Sequence, residues 1–308
     1  MPPVVEVHRL RKSYGDVERI HGIDFEVRGE EILGFLGTNG AGKTTTIEIL
    51  EGYRPRNAGD VSVLGVDPAH PNRAWRNRIG LVLQECELSP HYTVRETLSM
   101  FSRYFESPTD VEAVVALVGL VDKAGDRVAQ LSGGQKRRLD VGLGLVGDPE
   151  LLFLDEPTTG LDPSARREMW EMMEGLRDAG KTILLTTHYM DEAEHLADRI
   201  IILRQGEIVA QGTSGELRDS LGDVTHIAFR VRTDARLDLL GMEADISAHL
   251  DGVLVRIASK SVQADLGRVL HWADGQALEL ADLEVVRPTL DDVFVELAEA
   301  PPEEVRGQ

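Results

Sequence analysis

The octapeptide GTNGAGKT, Gly37 to Thr44, constrains the fold of its surroundings more than any other stretch. It follows EILGFLG, Glu31 to Gly37, a short apolar run that reads as a strand, and it opens GKTTTIEIL, within which a helix should begin. A strand, a glycine turn and a helix in that order aim consecutive backbone N–H groups at one point beside a helix N-terminus. Gly37, Gly40 and Gly42 let the backbone turn tightly and approach an anion without obstruction by a Cβ.

That geometry suits a chain of phosphates. Lys43 is placed to reach the β and γ phosphates, and Thr44 offers a hydroxyl to Mg²⁺, which takes few protein ligands beside phosphate oxygens. The other loop residues, Thr38, Asn39 and Ala41, and the next threonine, Thr45, complete the candidate ATP-binding set; Thr38 contributes mainly backbone. LLFLD, Leu151 to Asp155, reads as a buried parallel strand, and ligands of parallel sheets gather at the carboxyl ends of such strands. Asp155 is therefore expected to orient Mg²⁺ directly or through water, and two adjacent acids, Asp155 and Glu156, are costly at a strand end without a use. A second glycine-lined helix start, LSGGQ at Leu131 to Gln135, precedes the helix-like KRRLDVGLGLV. Ser132, Gly133 and Gly134 thus form another end suited to an anion. Lys136, Arg137 and Arg138 read as a solvated face of that helix.

Further strand-like runs are Val4 to Val7, Ile23 to Val27, Asp60 to Leu64, Gly80 to Leu83, Thr182 to Thr187 and Arg199 to Leu203. Helix is expected from Thr93 to about Val121, opened by a Thr93/Glu96 capping box, and from Asp162-Pro163 to a stop at Gly180. The motifs end at GEIVAQG, Gly206 to Gly212. Strand candidates at 225–231, 253–257 and 282–286, with helices at 261–273 and 289–298, then suggest a small α+β domain. The expected fold class is α/β with a helical subdomain at about 90–148, plus that smaller α+β domain. The expected boundaries are 1–215, 220–300 and a flexible tail, 301–308.

Composition removes several functions. With 53 acidic and 33 basic residues among 308, the net charge is −20, which disfavours a broad grip on nucleic acid. The only cysteine, Cys86, excludes an internal disulfide and a cysteine zinc site, and it fits a reducing cytoplasm. No apolar stretch approaches the roughly 18 to 20 residues of a membrane helix. MPPVVEVHRL has no signal-peptide pattern.

GTNGAGKT, LSGGQ and LLFLDE together resemble the nucleotide-binding subunit of an ATP-binding cassette (ABC) transporter over roughly residues 4 to 215. The resemblance implies a P-loop NTPase cassette, ATP and Mg²⁺ as cofactors, and transport work through a separate membrane chain. It assigns Glu156 as the catalytic carboxylate that positions water, Gln84 as the residue sensing Mg²⁺ and water, and His188 as the switch histidine on the γ-phosphate. Tyr14 takes the place of the aromatic that stacks on adenine. The LSGGQ end, Ser132 to Gln135, would close over ATP held by a second copy of the chain in a head-to-tail homodimer, with Asp162 communicating across that interface. Family members often carry proline where this chain has Thr38. His8, His91, His195 and His271 lack any such context.

VVRPTLDDVFVELA, Val285 to Ala298, resembles the ending of bacterial daunorubicin-resistance-type export ATPases, which pair with ABC-2-type membrane permeases. The expected function is therefore an ATPase for drug or antibiotic export, peripheral at the cytoplasmic face of the bacterial membrane and touching the membrane only through the permease. Export of lipid, polysaccharide or haem, or import, would use the same chemistry. A soluble ABC ATPase of translation or DNA repair normally has two cassettes or a long coiled-coil insertion, and neither occurs here. A non-hydrolysing homologue conflicts with the intact catalytic positions.

Overall fold

The computed structural model describes residues 3–82, 88–220, 225–232, 235–236, 241–249, 252–286 and 289–299. Among these the chain runs β1 (Val5–Tyr14), β2 (Val17–Val27), β3 (Ile32–Leu36), α1 (Lys43–Leu50), β4 (Ala58–Val63), α2 (Arg73–Arg76) and β5 (Ile79–Val82). It continues with α3 (Val94–Ser102), α4 (Val111–Leu117), α5 (Gly133–Leu145), β6 (Leu151–Asp155), α6 (Pro163–Asp178), β7 (Thr182–Thr187), α7 (Met190–Leu196), β8 (Arg199–Arg204) and β9 (Glu207–Gly212). After α8 (Ser214–Asp219) come β10 (Thr225–Val231), β11 (Asp245–His249), β12 (Gly252–Ser259), α9 (Val262–Gly275), β13 (Ala281–Val286) and α10 (Leu290–Glu299). The described elements are of mixed α/β content.

The chain divides into two compact units, with the break between Ser214 and Gly215. In the first, a six-stranded sheet has the order β5-β6-β7-β3-β8-β9, parallel except for the β8-β9 pair. Every residue of β3, β6 and β7 is buried, so these strands read as unbroken apolar runs, as strands covered on both faces must. The antiparallel sheet β2-β1-β4 shares one core with the outward side of that sheet through Phe25, Phe35 and Phe153. The other core joins β6 and β7 to α3, α4, α5 and α6 through Leu98, Val114, Leu139, Leu152 and Met173. Each buried Leu, Val or Phe contributes about 1.5–3 kcal/mol, and the two cores grip the site-bearing strands from both faces.

The expected single helical section from Thr93 to Val121 is corrected to two helices. Thr93 does open α3 with a capping box: its Oγ1 accepts from Glu96 N at 3.1 Å, and Glu96 Oε2 accepts from Thr93 N at 2.9 Å. Pro108 lacks an N–H and disfavours helix at the residue before it, so the chain breaks there and restarts when Asp110 caps α4. Strands β1 and β2 run longer than their apolar cores because the hairpin pairs residues up to Tyr14 and Val17. Leu83, the last residue of the expected strand 80–83, lies outside the described residues.

The second unit has a four-stranded antiparallel sheet, β11-β12-β10-β13, with its own core of Ile227, Phe229, Val255, Ile257, Val269 and Trp272. Strand β11 was missed because DISAH lacks alternation strong enough to mark it; it pairs with β12 through Ile246 and Val255. The expected tail, 301–308, lies outside the described residues. Because each unit holds a core of its own, a chain ending at Ser214 is expected to fold and melt cooperatively by circular dichroism. A broad, non-cooperative transition would show that the first unit depends on the second.

Candidate functional site

Three neighbouring strands deliver the site. β7 pairs in parallel with both β3 and β6, so the glycine loop after β3, the acids ending β6 and His188 after β7 emerge side by side. Gly37 cannot carry a side chain: a Cβ there would collide with the carbonyl oxygen of Leu203 on β8. Gly42 caps α1 with φ 112°, a left-handed conformation that favours glycine.

Lys43, buried to 4 % exposure, donates from Nζ to Gly37 O at 2.7 Å and lies 3.5 Å from Glu156 Oε1. Burial pulls its pKa below the ordinary lysine value, and the charges of Glu156 and Asp155 oppose that shift. Thr186 Oγ1 donates to Asp155 Oδ1 in a short hydrogen bond and accepts from Glu156 N at 3.0 Å, so one hydroxyl registers both acids on β7. Glu156 has φ 45°, a conformation costing a residue with a Cβ about 1–2 kcal/mol, and the surrounding bonds hold it there. Its Oε2 lies 3.3 Å from His188 Nδ1, a buried nitrogen with no hydrogen-bond partner among the described residues. Thr159 Oγ1 donates to the same carboxylate oxygen at 3.2 Å.

A cleft of about 460 Å³ opens over Lys43 and Glu156, lined by the loop residues Asn39, Gly40 and Gly42, by Lys43 to Thr45, and by Glu156, Tyr14 and Arg19; Asp155 and His188 are not among its lining residues. Tyr14 ends β1 at the rim; its hydroxyl is 3.4 Å from Thr45 Oγ1, with Lys12 Nζ and Arg54 Cζ each 5.2 Å from the ring centroid. Arg19 on β2 is a cleft residue that sequence reasoning missed, since nothing in its spacing from the glycine loop marks it. The donor set fits Mg²⁺, which takes oxygen ligands: the Thr44 hydroxyl faces the cleft, and the buried Asp155 carboxylate lies close enough to Lys43 for their charges to interact. Gln84 lies outside the described residues.

The LSGGQ end opens a second helix, α5. Ser132 caps α5, accepting from Gln135 N at 3.2 Å while Gln135 Oε1 accepts from Ser132 N at 2.9 Å. Asp162 caps α6, accepting from Ser164 N and Ala165 N at 2.9 and 3.0 Å. The cleft lining includes neither Ser132, Gly133, Gly134 and Gln135 nor Asp162. The expected solvated face is corrected at Arg137. Lys136 is exposed, but Arg137 is 8 % exposed and donates to the carbonyls of Asp155 and Pro157 at 3.0 and 2.9 Å. Arg138 donates to Gly119 O and pairs with Glu168, each at 3.2 Å.

The ABC transporter family model matches residues 20–159, and a model of the C-terminal domain of ABC transporter domain-containing proteins matches 225–289. The linearmycin resistance ATP-binding protein LnrL of Bacillus subtilis is 33% identical over 304 residues, 96% of this chain and 98% of that protein. This chain belongs to the ABC transporter ATP-binding subunits. The Nod factor export ATP-binding protein I of Burkholderia orbicola is 45% identical over 221 residues, 70% of this chain and 73% of that protein. A solved ATP-binding subunit of an ABC transporter superposes with TM-score 0.63 at 27% identity, covering 71% of this chain and 93% of that one. As an ABC ATPase subunit, the chain binds ATP, hydrolyses it to power transport and works with a transmembrane permease. No helix among its described residues is long and apolar enough to cross a membrane.

Behind His188, this ABC subunit buries Glu192 of α7 completely. Its Oε1 accepts from Thr158 Oγ1 at 2.7 Å and from Trp170 Nε1 at 3.0 Å, joining α7 to the loop after Glu156 and to α6. Burial pushes its pKa above the ordinary carboxyl value, opposed by these donors, by the Thr187 hydroxyl and by Arg166. The native chain therefore holds this proton at a pH where the unfolded chain has lost it, so stability falls as pH rises from about 4.3 towards the raised native value. Glu192→Gln is expected to flatten that decline in urea-unfolding midpoints measured between pH 5 and pH 8. An unchanged slope would remove Glu192 as its source.

Proposed function

We propose that the chain is the ATPase subunit of an exporter of drugs, antibiotics or similar amphipathic compounds, peripheral at the cytoplasmic face of the membrane and acting through an ABC-2-type permease. The observation that carries the catalytic reading is the meeting of Lys43, Glu156 and His188 at adjacent strand ends. Lys43 exchanges its contacts with Gly37 O and Glu156 for the β and γ phosphates, and the amides around Gly40 and Gly42 take the remaining oxygens. Glu156, released from Lys43, accepts a hydrogen bond from the attacking water and aligns it with the γ-phosphorus. His188 holds the γ-phosphate, Gln84 orients water and metal, Tyr14 stacks on the base, and Arg19 adds a cation to the nucleotide. Thr44 and Asp155 would hold Mg²⁺, which would neutralise phosphate charge.

The head-to-tail homodimer is supported by the exposed start of α5 at Ser132 and Gly133, a second glycine-lined helix end suited to an anion on the chain's surface. In this arrangement the helix end at Ser132 binds the γ-phosphate held by the second copy. The export direction is supported by the relatives' names, above all by the similarity to a linearmycin resistance protein along nearly the whole chain. The second unit is proposed as an accessory domain that stabilises the dimer or tunes its docking on the permease. Co-purification with a candidate ABC-2-type permease, followed by a drug-stimulated ATPase assay, tests the export reading; stimulation by lipid or polysaccharide and not by drugs would replace it.

Glu156→Gln is expected to keep ATP binding and lower turnover at least about 10²-fold, as for a lost general base. Lys43→Ala is expected instead to weaken nucleotide binding. Near wild-type hydrolysis by the first variant, or unchanged affinity in the second, would withdraw the corresponding role.

Mixed dimers test the trans assembly. A heterodimer of Ser132→Arg with Glu156→Gln has one site carrying both lesions and one intact, if each site joins one chain's Glu156 to the other's Ser132. Appreciable activity in the isolated heterodimer, with both homodimers inactive, is the expected result. Glu156→Gln is also expected to dimerise in MgATP and dissociate in ADP; a dimer indifferent to nucleotide would contradict the assembly.

A further inference from the structure

We propose that Arg137 is a positioning residue for Glu156, and that through it the LSGGQ end of α5 and the water-activating carboxylate of the same chain move as one piece. The inference rests on the reading of Glu156 as the general base. Arg137 Nε donates to Pro157 O at 2.9 Å, and Nη2 donates to Asp155 O at 3.0 Å and to Glu156 O at 3.3 Å. Its Nη1 lies 3.9 Å from Asp140 Oδ2, one turn further along α5.

Three successive carbonyls can meet one cation only because the chain bends at Glu156, where φ is 45°. On the other side of that bend, Glu156 N donates to Thr186 O at 3.2 Å and to Thr186 Oγ1 at 3.0 Å. The residue is therefore held from β7 through its N–H and from α5 through its carbonyl, which leaves its backbone little freedom. Arg137 stands one helical turn after Gly133, on the same face of α5, so a shift of the glycine end carries the guanidinium with it. Gly134 adds a second tie: a Cβ there would come within 2.8 Å of Ala165 Cβ on α6, just after Asp162. A phosphate seated on the α5 end from the second copy would thus bear on the alignment of Glu156 in the chain that supplies the α5 end. A planar guanidinium reaches the three oxygens together, whereas a lysine ammonium is a point charge with a shorter span.

The test uses the full chain with Arg137→Lys and Arg137→Gln, each alone and combined with Glu156→Gln. Melting temperatures establish which variants are folded, and the charge-retaining lysine variant carries the test if the glutamine variant is not. The expected result is a kcat lowered roughly ten- to a hundredfold, as for a misplaced reacting group, with KM and equilibrium ATP affinity within about twofold of wild type. In single-turnover hydrolysis on the Glu156→Gln background, the Arg137 substitution is expected to add less than about a twofold further loss, because it acts through the group already removed. The proposal is overturned if kcat is unchanged, if ATP affinity falls in step with kcat, or if the two losses multiply. Near wild-type turnover by Glu156→Gln alone is a different outcome, and it would remove the general-base reading itself.

Discussion

The pairing of β7 with both β3 and β6 is the constraint on which the site depends. Apart from Thr182 at the start of β7, the three strands carry no polar side chain on their buried length until the ends of β6 and β7, where Asp155, Thr186 and Thr187 appear together. Burial of the apolar stretches fixes register, since a parallel strand covered on both faces cannot slide without opening a void in one core or the other. With register fixed, a hydroxyl on one strand meets a carboxylate on its neighbour, and a turn after the third brings a lysine to the next acid. Segments distant along the chain thereby acquire the tolerance of a hydrogen bond.

Electrostatics explains why the arrangement is both strained and stable. Lys43 and Glu156 are each largely withdrawn from water, and neither would be tolerable alone at that depth. Their mutual contact, the carbonyl of Gly37 and the alcohol of Thr159 provide substitutes for solvent. These are weak enough to exchange for phosphate oxygens. Arg137 extends the same balance to the backbone, its charge spread over carbonyl dipoles at the end of β6.

Much of this was legible from the chain alone, where local chemistry and pattern coincide. GTNGAGKT, LLFLDE and the histidine closing TILLTTH each join an apolar run to a polar group at its end, and the structure brings those polar groups together. Arg137 was misread because a triplet of cations looks solvated by composition, while helical periodicity turns alternate members towards different surroundings. Arg19 left no local signal, since its approach to the cleft depends on the β1-β2 hairpin folding over the loop. Pro108 carried the information that divides the helical section, and the apolar AVVALVGLV downstream masked it.

Leu203 does no chemistry, yet its carbonyl leaves no room at Gly37, and its side chain would stand 3.2 Å from a Cβ at Gly42. One fully buried leucine on β8 thus moulds both ends of the phosphate-facing loop. Substitution at Leu203 keeps the carbonyl and changes only the side-chain wall beside Gly42, so a tolerance map scored by nucleotide turnover would register that wall although it touches no nucleotide. Functional screening and ligand proximity would then disagree, and the disagreement would trace the mould instead of the cast.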